Sequence, residues 1–350
     1  MLNYPIHIGP DAPLALGKAM EELGPSAVLV IADDNTFLSC YPRLRQHLPD
    51  HEIEVIRSGE QHKHLQTCEQ IWARMTALSL DRKAVVVNLG GGVIGDLGGF
   101  VASTYKRGIR FVQVPTTLLS QVDASVGGKL GVDFRGFKNH IGVFADPQGV
   151  YIDPAFLETL SDRELYSGFA EVIKHHLIAD QEGWLRLQQI EDLRKENLAA
   201  MIEHSVAIKS HIVEKDPFEQ GARKSLNFGH TFGHALESEW LERSSPFLHG
   251  EAIAAGMVME AYMSLRRGLI YPKDYREIKQ LIDRFYPEIP IHSADNESLL
   301  SRMDNDKKNE HGATLCTLLD GIGFFMVNAA LSREEILDTF QHYREEYGLD

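Results

Sequence analysis

The segment ARKSLNFGHTFGHALESE sets Arg223, Asn227, His230 and His234 at i, i+4, i+7 and i+11, the spacing of one helical face. A stripe at that spacing is ordinarily apolar and buried. This one holds a cation, an amide and two imidazoles, which reads as the wall of a polar site rather than as core; an exposed, solvated helix face is the competing reading. His230 and His234 stand one turn apart, the spacing of two ligands to one zinc ion. A third imidazole, His249, opens the next helix in FLHGEAIAAGM, and a carboxylate, Glu171, stands one turn from Lys174 in GFAEVIKHH. One carboxylate and two imidazoles would leave coordination positions open for substrate oxygens, as catalytic rather than structural zinc requires.

Two further stretches suit anions. AVVVNLGGGVIGDLGGF places Gly90, Gly91 and Gly92 directly after an apolar strand and before a helix. Glycine there lets backbone approach a pyrophosphate, and a helix N-terminus attracts it, although the order is not GxGxxG. Asp33 and Asn35, at the end of the first strand, are short polar groups able to meet an adenosine ribose. In QVPTTLLSQVDASVGGKLGVDFRGFKNHIG, Asp123, Lys129, Lys138 and Asn139 lie among glycines. Glycine weakens regular structure, so both lysines are expected on loops whose backbone N–H groups could also face an anion.

The elements that must position these groups follow from periodicity. Ala27–Ala32, Ile53–Ile56, Ala84–Leu89 and Phe111–Val114 read as strands, with helices at Thr36–His47, Leu65–Leu78 and Val93–Ala102 between them. That alternation predicts an α/β nucleotide-binding domain over residues 1–153. Beyond it, Arg163–Ile178, Ile190–Glu214, Ala222–Leu241 and Gly250–Leu269 read as helices, with Thr314–Leu319 and Phe324–Val327 as a short strand pair and Ser332–Tyr347 as a closing helix. Residues 154–350 are therefore expected to form a mainly helical metal- and substrate-binding domain.

Composition limits the partners. Against 35 Lys and Arg stand 50 Asp and Glu, a net charge of −15 that repels nucleic acid and anionic membranes. A phosphorylated substrate must then be held by local cations. Cys40, Cys68 and Cys316 are too scattered for a disulfide framework or a thiolate metal site. The opening MLNYPIHIGPDAP lacks the pattern of a secretory signal, and no apolar run approaches the roughly 18 residues of a membrane span. A soluble, cytoplasmic protein is expected.

Taken in order, GGGVIGDLGGFVASTYKRGI, VPTTLLSQVDASVGGK, GFKNHIG, AEVIKH, RKSLNFGHTFGHA and LHGEA resemble the 3-dehydroquinate synthase family of the sugar-phosphate cyclases over nearly the whole chain. VGGK and LNFGHTFGHA resemble the dehydroquinate branch rather than those making 2-deoxy-scyllo-inosose or epi-valiolone. The resemblance implies an N-terminal nucleotide-binding domain, a helical metal-binding domain, a cleft between them and a homodimer. It implies one divalent metal, Zn or Co, on Glu171, His230 and His249, with His234 turned to substrate instead of metal. Implied NAD contacts are Asp33, Asn35, Glu60 and Lys63; Gly91, Gly92, Val93 and Asp96; Thr116, Thr117, Lys129 and Lys138; and Thr159 and Glu164. Implied substrate contacts are Asp123, Lys129, Asn139, Lys174, Lys209, Arg223, Asn227 and His234. Arg107 in TYKRGI resembles an arginine that reaches the phosphate across a dimer, and either Lys307 or Lys308 in DNDKKNE is expected to approach it. The chain departs from the family pattern at Leu130, at Asp133, where Asn is usual, and at His176, where Gly is usual.

The activity so implied converts 3-deoxy-D-arabino-heptulosonate 7-phosphate, a phosphorylated keto-acid sugar, to 3-dehydroquinate and phosphate. Transient oxidation by NAD, phosphate elimination, re-reduction and aldol closure follow one another. Arg223 and Lys209 suit the substrate carboxylate. Lys129, Asn139, Asn227, His234 and Arg107 suit its phosphate. Another sugar-phosphate cyclase is one alternative and an iron-type alcohol or glycerol dehydrogenase another, the latter opposed by Lys129, Lys138, Lys209 and Arg223, cations that a small alcohol does not need.

Overall fold

The computed structural model describes residues 2–135, 137–240, 246–304 and 314–349. The chain divides into two compact units: Met1–Leu165 with Asn197–Glu214, and Tyr166–Glu196 with Lys215–Asp350.

The first unit is built on a six-stranded sheet of β1 (Ile6–Ile8), β2 (Val28–Asp33), β3 (Glu52–Ile56), β4 (Val85–Gly90), β5 (Arg110–Pro115) and β8 (Val150–Ile152), in the order β1-β8-β5-β4-β2-β3. Every pairing in it is parallel. VLVIA and VVVNLG are buried along their length because helices cover both faces, as an apolar, β-branched central strand requires. Their side chains alternate between two cores. Leu29, Ile31 and Val86 pack with Ile71 and Met75 of the helix Leu65–Ala77 and Leu97 and Val101 of the helix Gly92–Thr104. Val28, Val30, Val85 and Val87 pack with Leu16 and Met20 of the helix Ala12–Leu23.

The chain runs from β2 outward to β3, then returns to lay β4 on the other side of β2. The carboxyl ends of β2 and β4 thus flank the point where strand order reverses, where open α/β sheets bind ligands. The helix after β4 lies close upon the sheet because it is glycine-rich: a Cβ on Gly98 would stand 2.0 Å from Asn88 Oδ1.

Besides β1 and β8, a further pair of strands was not expected from the sequence. β6 (Lys129–Phe134) and β7 (Phe137–Phe144) form an antiparallel pair that carries Lys129, Lys138 and Asn139, so these groups stand on strands, not on loops. A glycine that suggested a loop serves close packing, since a Cβ on Gly142 would lie 2.3 Å from the Leu130 carbonyl oxygen; Gly99, on the helix after β4, lets that helix approach the hairpin, since a Cβ there would lie 2.4 Å from Leu130 Cδ2. The reading of a helix over Thr36–His47 is also corrected, since helices Asp34–Ser39 and Tyr41–Leu44 are followed by a 3₁₀ turn, Arg45–His47. The helix expected over Ile190–Glu214 begins only at Leu198 and runs to Lys215.

The second unit is mainly helical, with one antiparallel pair, β9 (Thr314–Leu319) and β10 (Phe325–Leu331). The helix His249–Arg266 is buried from Gly250 to Ser264, the mark of a helix surrounded by others. Its glycine permits backbone contact: a Cβ on Gly256 would stand 2.0 Å from the Gly229 carbonyl oxygen. The single helix expected over Ala222–Leu241 is in fact a 3₁₀ turn, Ala222–Asn227, and a separate α-helix, His230–Trp240. The break is imposed from outside. Glu260, fully buried on the neighbouring helix, accepts the N–H groups of Gly229 at 2.7 Å and Thr231 at 3.0 Å. Gly229 takes φ +81°, which glycine tolerates best. Among the described residues no helix is long and apolar enough to cross a membrane.

Candidate active site

In the helical unit three elements converge on one carboxylate. Glu171, fully buried on the helix Asp162–Ala179, directs Oε1 at two imidazoles: His230 Nε2 at 3.6 Å and His249 Nε2 at 3.4 Å. Its other oxygen, Oε2, is paired with Lys174 Nζ one turn along the same helix. His230 starts the helix His230–Trp240 and His249 starts His249–Arg266, so both rings emerge from helix N-termini.

Each imidazole is oriented from behind. His230 Nδ1 lies 3.1 Å from the Phe228 carbonyl oxygen; as the donor there, it leaves the Nε2 lone pair facing Glu171. His249 Nδ1 lies 3.4 Å from Glu237 Oε2. Burial opposes the charged form of His249, but Glu237 and Glu171 outweigh it and raise its pKa to about 9. A ring held between two carboxylates in this way would exchange its proton for a cation of higher charge.

The close approach of the helices has a visible cause. Gly250 donates its N–H to Ser167 Oγ at 3.0 Å, and a Cβ at this position would fall 1.9 Å from the Ser167 carbonyl oxygen. With backbone against backbone, His249 is brought beside the residue one turn beyond Ser167, which is Glu171.

Glu171, His230 and His249 offer ligand atoms within 4.8 Å of one another, as does a second set, His234, Glu237 and His249. Two nitrogens and a carboxylate oxygen suit a divalent ion and leave positions open. His234 stands beside this set, its ring centroid 5.1 Å from that of His230, while Arg223 and Asn227 lie in the preceding 3₁₀ turn, Ala222–Asn227. Arg223 is buried and donates through Nη1 to the Pro217 carbonyl at 2.5 Å; Asn227 Nδ2 donates to Glu219 Oε1 at 2.9 Å.

The α/β unit gathers a separate set of groups. Asp33 ends β2 and accepts the Thr36 N–H at 2.8 Å, while Asn35 is exposed in the helical turn that follows. Gly91, Gly92, Val93 and Asp96 open the helix after β4, and Thr116 and Thr117 follow β5. Thr116 Oγ1 is buried and has no hydrogen-bond partner among the described residues, an orphaned group of the kind a cofactor completes. Lys63, almost fully buried, binds Asp96 at 2.7 Å and lies 3.8 Å from Glu60, which is 3.5 Å from Lys138 Nζ. Burial pushes the Asp96 carboxyl above its usual range and Lys63 counters this; the same burial disfavours the Lys63 charge, yet Asp96 and Glu60 hold its pKa above the usual lysine value.

Asp123 lies in a π-helical turn, Ser120–Ala124, and its Oδ1 is 2.9 Å from Lys209 Nζ. Asp133 accepts the Asn139 N–H at 2.7 Å. Lys129 stands exposed at the start of β6, and Arg107 closes a 3₁₀ turn with φ +67°. Thr159 ends the turn Pro154–Thr159, and Glu164 stands in the first turn of Asp162–Ala179. Lys307 and Lys308 lie outside the described residues.

Glu237 was not singled out from the sequence. It falls seven residues after His230 and three after His234, on the same helical face, and that periodicity is the signal that identifies it.

Comparison with known proteins places these features in a family. A family model described as the 3-dehydroquinate synthase N-terminal region matches residues 53–167, and the corresponding C-terminal model matches residues 168–309. A 3-dehydroquinate synthase of Parabacteroides distasonis is 39% identical over 354 residues, covering 100% of both chains, and one of Halorhodospira halophila is 40% identical over 344 residues, covering 96% of each. Among solved structures, 2-epi-5-epi-valiolone synthase from Streptomyces hygroscopicus subsp. jinggangensis, with NAD+ and Zn2+ bound, superposes with a TM-score of 0.85 at 26% identity over 99% of this chain and 98% of that one. An iron-containing alcohol dehydrogenase from Thermotoga maritima, 16% identical with a TM-score of 0.68 over 98% of each chain, shares the fold alone. With both family models matched in sequence and such identity sustained from end to end, the chain belongs to the 3-dehydroquinate synthase family.

Proposed function

We propose that this chain performs the 3-dehydroquinate synthase reaction of the shikimate pathway with NAD held chiefly by residues 1–153, joined by Thr159 and Glu164, and one divalent metal held by Glu171, His230 and His249 in residues 154–350. The observation that carries the reading is the meeting of Glu171, His230 and His249 around one point in a member of this family. When bound, NAD supplies a reversible hydride acceptor and the metal, zinc or cobalt, polarises substrate hydroxyls.

The chain's own residues bind and orient. Arg223 and Lys209 take the substrate carboxylate. Lys129, Asn139, Asn227, His234 and, from a second copy in a homodimer, Arg107 take the phosphate through charge-assisted hydrogen bonds. Asp123, which pairs with Lys209, and Lys174, which pairs with Glu171, are the remaining proposed substrate contacts. Asp33, Asn35, Glu60, Lys63, Gly91, Gly92, Val93, Asp96, Thr116, Thr117, Lys138, Thr159 and Glu164 are the proposed cofactor contacts, with Thr116 Oγ1 the group most in need of one. With that acceptor and metal bound, the reaction would run through transient oxidation at one substrate carbon, loss of phosphate together with the neighbouring proton, re-reduction of the same carbon and ring closure, the residues named above holding the substrate throughout. Such a site works by positioning more than by attack. Identity near 39% to dehydroquinate synthases, against 26% to the valiolone synthase, supports the dehydroquinate substrate.

Turnover is expected to release inorganic phosphate from 3-deoxy-D-arabino-heptulosonate 7-phosphate without accumulating NADH. Recording nicotinamide absorbance beside phosphate tests this; stoichiometric NADH with no phosphate assigns the chain to the dehydrogenases instead.

A further inference from the structure

Between the helix Leu198–Lys215 and the turn Ala222–Asn227 the chain passes through a short loop that begins with Asp216. Both oxygens of that carboxylate are engaged by the loop's own backbone. Oδ1 accepts the Gln220 N–H at 2.9 Å, and Oδ2 accepts those of Gly221 at 2.7 Å and Arg223 at 3.0 Å. Burial alone would raise the Asp216 pKa, yet these donors hold it below the usual carboxylate value.

The loop they close has work to carry. Glu219 adopts a left-handed conformation, φ +58°, and in it accepts from Asn227 at 2.9 Å. Arg223 is tied at both ends, by its N–H to Asp216 and by its guanidinium to the carbonyl of Pro217. A long cation that is 1% exposed has few rotamers left once its backbone and its tip are both held.

From this geometry we infer that Asp216 is a positioning residue, which shapes the loop 216–223 so that Arg223 is presented to the substrate anion in a fixed arrangement. The inference rests on the reading of Arg223 as a substrate contact. Asp216 itself touches no substrate. A carboxylate is required because two oxygens must each accept from the backbone. Asn offers one acceptor oxygen and would turn an NH2 group toward N–H donors.

The test uses the full-length, metal- and NAD-loaded protein as Asp216→Asn, Arg223→Ala and the double variant. Asp216→Asn is expected to raise the substrate KM about tenfold or more, the scale of lost hydrogen bonds to a charged group, with kcat little changed. Hydrogen exchange of 217–223 is expected to quicken while zinc content and thermal midpoint stay as in the parent. The double variant is expected to match Arg223→Ala, because Asp216 acts through that residue. Multiplying KM effects in the double variant, or unchanged KM and exchange in Asp216→Asn while Arg223→Ala raises KM, overturn the inference alone. An unchanged KM in Arg223→Ala overturns the substrate reading of Arg223 and the inference with it. Should Asp216→Asn not fold, Asp216→Ser, which also keeps one acceptor, is read in the same way.

Discussion

Gly250→Ala probes the contact that brings His249 to Glu171. The added Cβ would meet the Ser167 carbonyl oxygen at 1.9 Å, its carbon at 2.5 Å and its Cα at 2.6 Å, all backbone atoms with no rotamer by which to yield. Real Cβ contacts are not found under 3.0 Å, so against the 1.9 Å observed the two helices must part by at least 1.1 Å. Two energies compete. Alanine in a helix gains about 1 kcal/mol over glycine, whereas overpacking a close-packed interior costs about 1–3 kcal/mol, and here the clash is with main chain. A net loss of at most about 2 kcal/mol in the metal-free protein is therefore expected, toward the upper end because main chain cannot yield. The larger effect falls on the metal, since ligand distances tolerate about 0.2 Å and His249 moves with Gly250. Zinc affinity is expected to drop by a factor of at least about 100, beyond the 10–100-fold typical of disturbing only a supporting partner. Competition between apo-protein and a chromophoric chelator measures the affinity, and denaturant unfolding in the presence of EDTA isolates the packing cost. Zinc binding at parental strength in a folded Gly250→Ala protein would refute the claim that this contact sets the ligand spacing.

The remaining expectations concern other parts of the same machinery. His249→Ala and Glu171→Ala should lose stoichiometric metal by elemental analysis while His234→Ala retains it; the reverse outcome would restore the reading of His230 and His234 as joint ligands. Glu260→Gln should destabilise by about 1.5–3 kcal/mol in urea, because a buried charge accepting two N–H groups is replaced by an amide with only one acceptor. Lys63→Met should cost about 3–5 kcal/mol by stranding the Asp96 carboxylate, and Lys63→Met with Asp96→Asn should recover part of that loss. Equal unfolding midpoints for the single and double variants would show that the pair is not the source of the cost.

The strands β2 and β4 were legible because a run such as VLVIA or VVVNL satisfies no structure as well as a doubly covered parallel strand. β1 and β8 were not, being three residues each, and so was the hairpin β6–β7, whose glycines signal a loop until the tight fit against Leu130 and the helix Gly92–Thr104 is seen. The break at Gly229 was equally hidden, since helical spacing continues from Arg223 to His234 across it. It is Glu260, distant in sequence, that withdraws the Gly229 and Thr231 N–H groups from a continuing helix.

By itself the sequence determined the inventory of chemistry: an acidic chain with cations confined to motifs, a glycine turn after an apolar strand, and a Glu and three His in segments whose order identifies the family. Spacing along one helix could pair His230 only with His234. Tertiary structure alone decided that Glu171 lies 3.4 Å from His249 and 3.6 Å from His230, and that Glu237 stands behind His249. The reason is steric: a glycine at the start of one helix lets its backbone rest on another, and no local propensity encodes which two helices will meet.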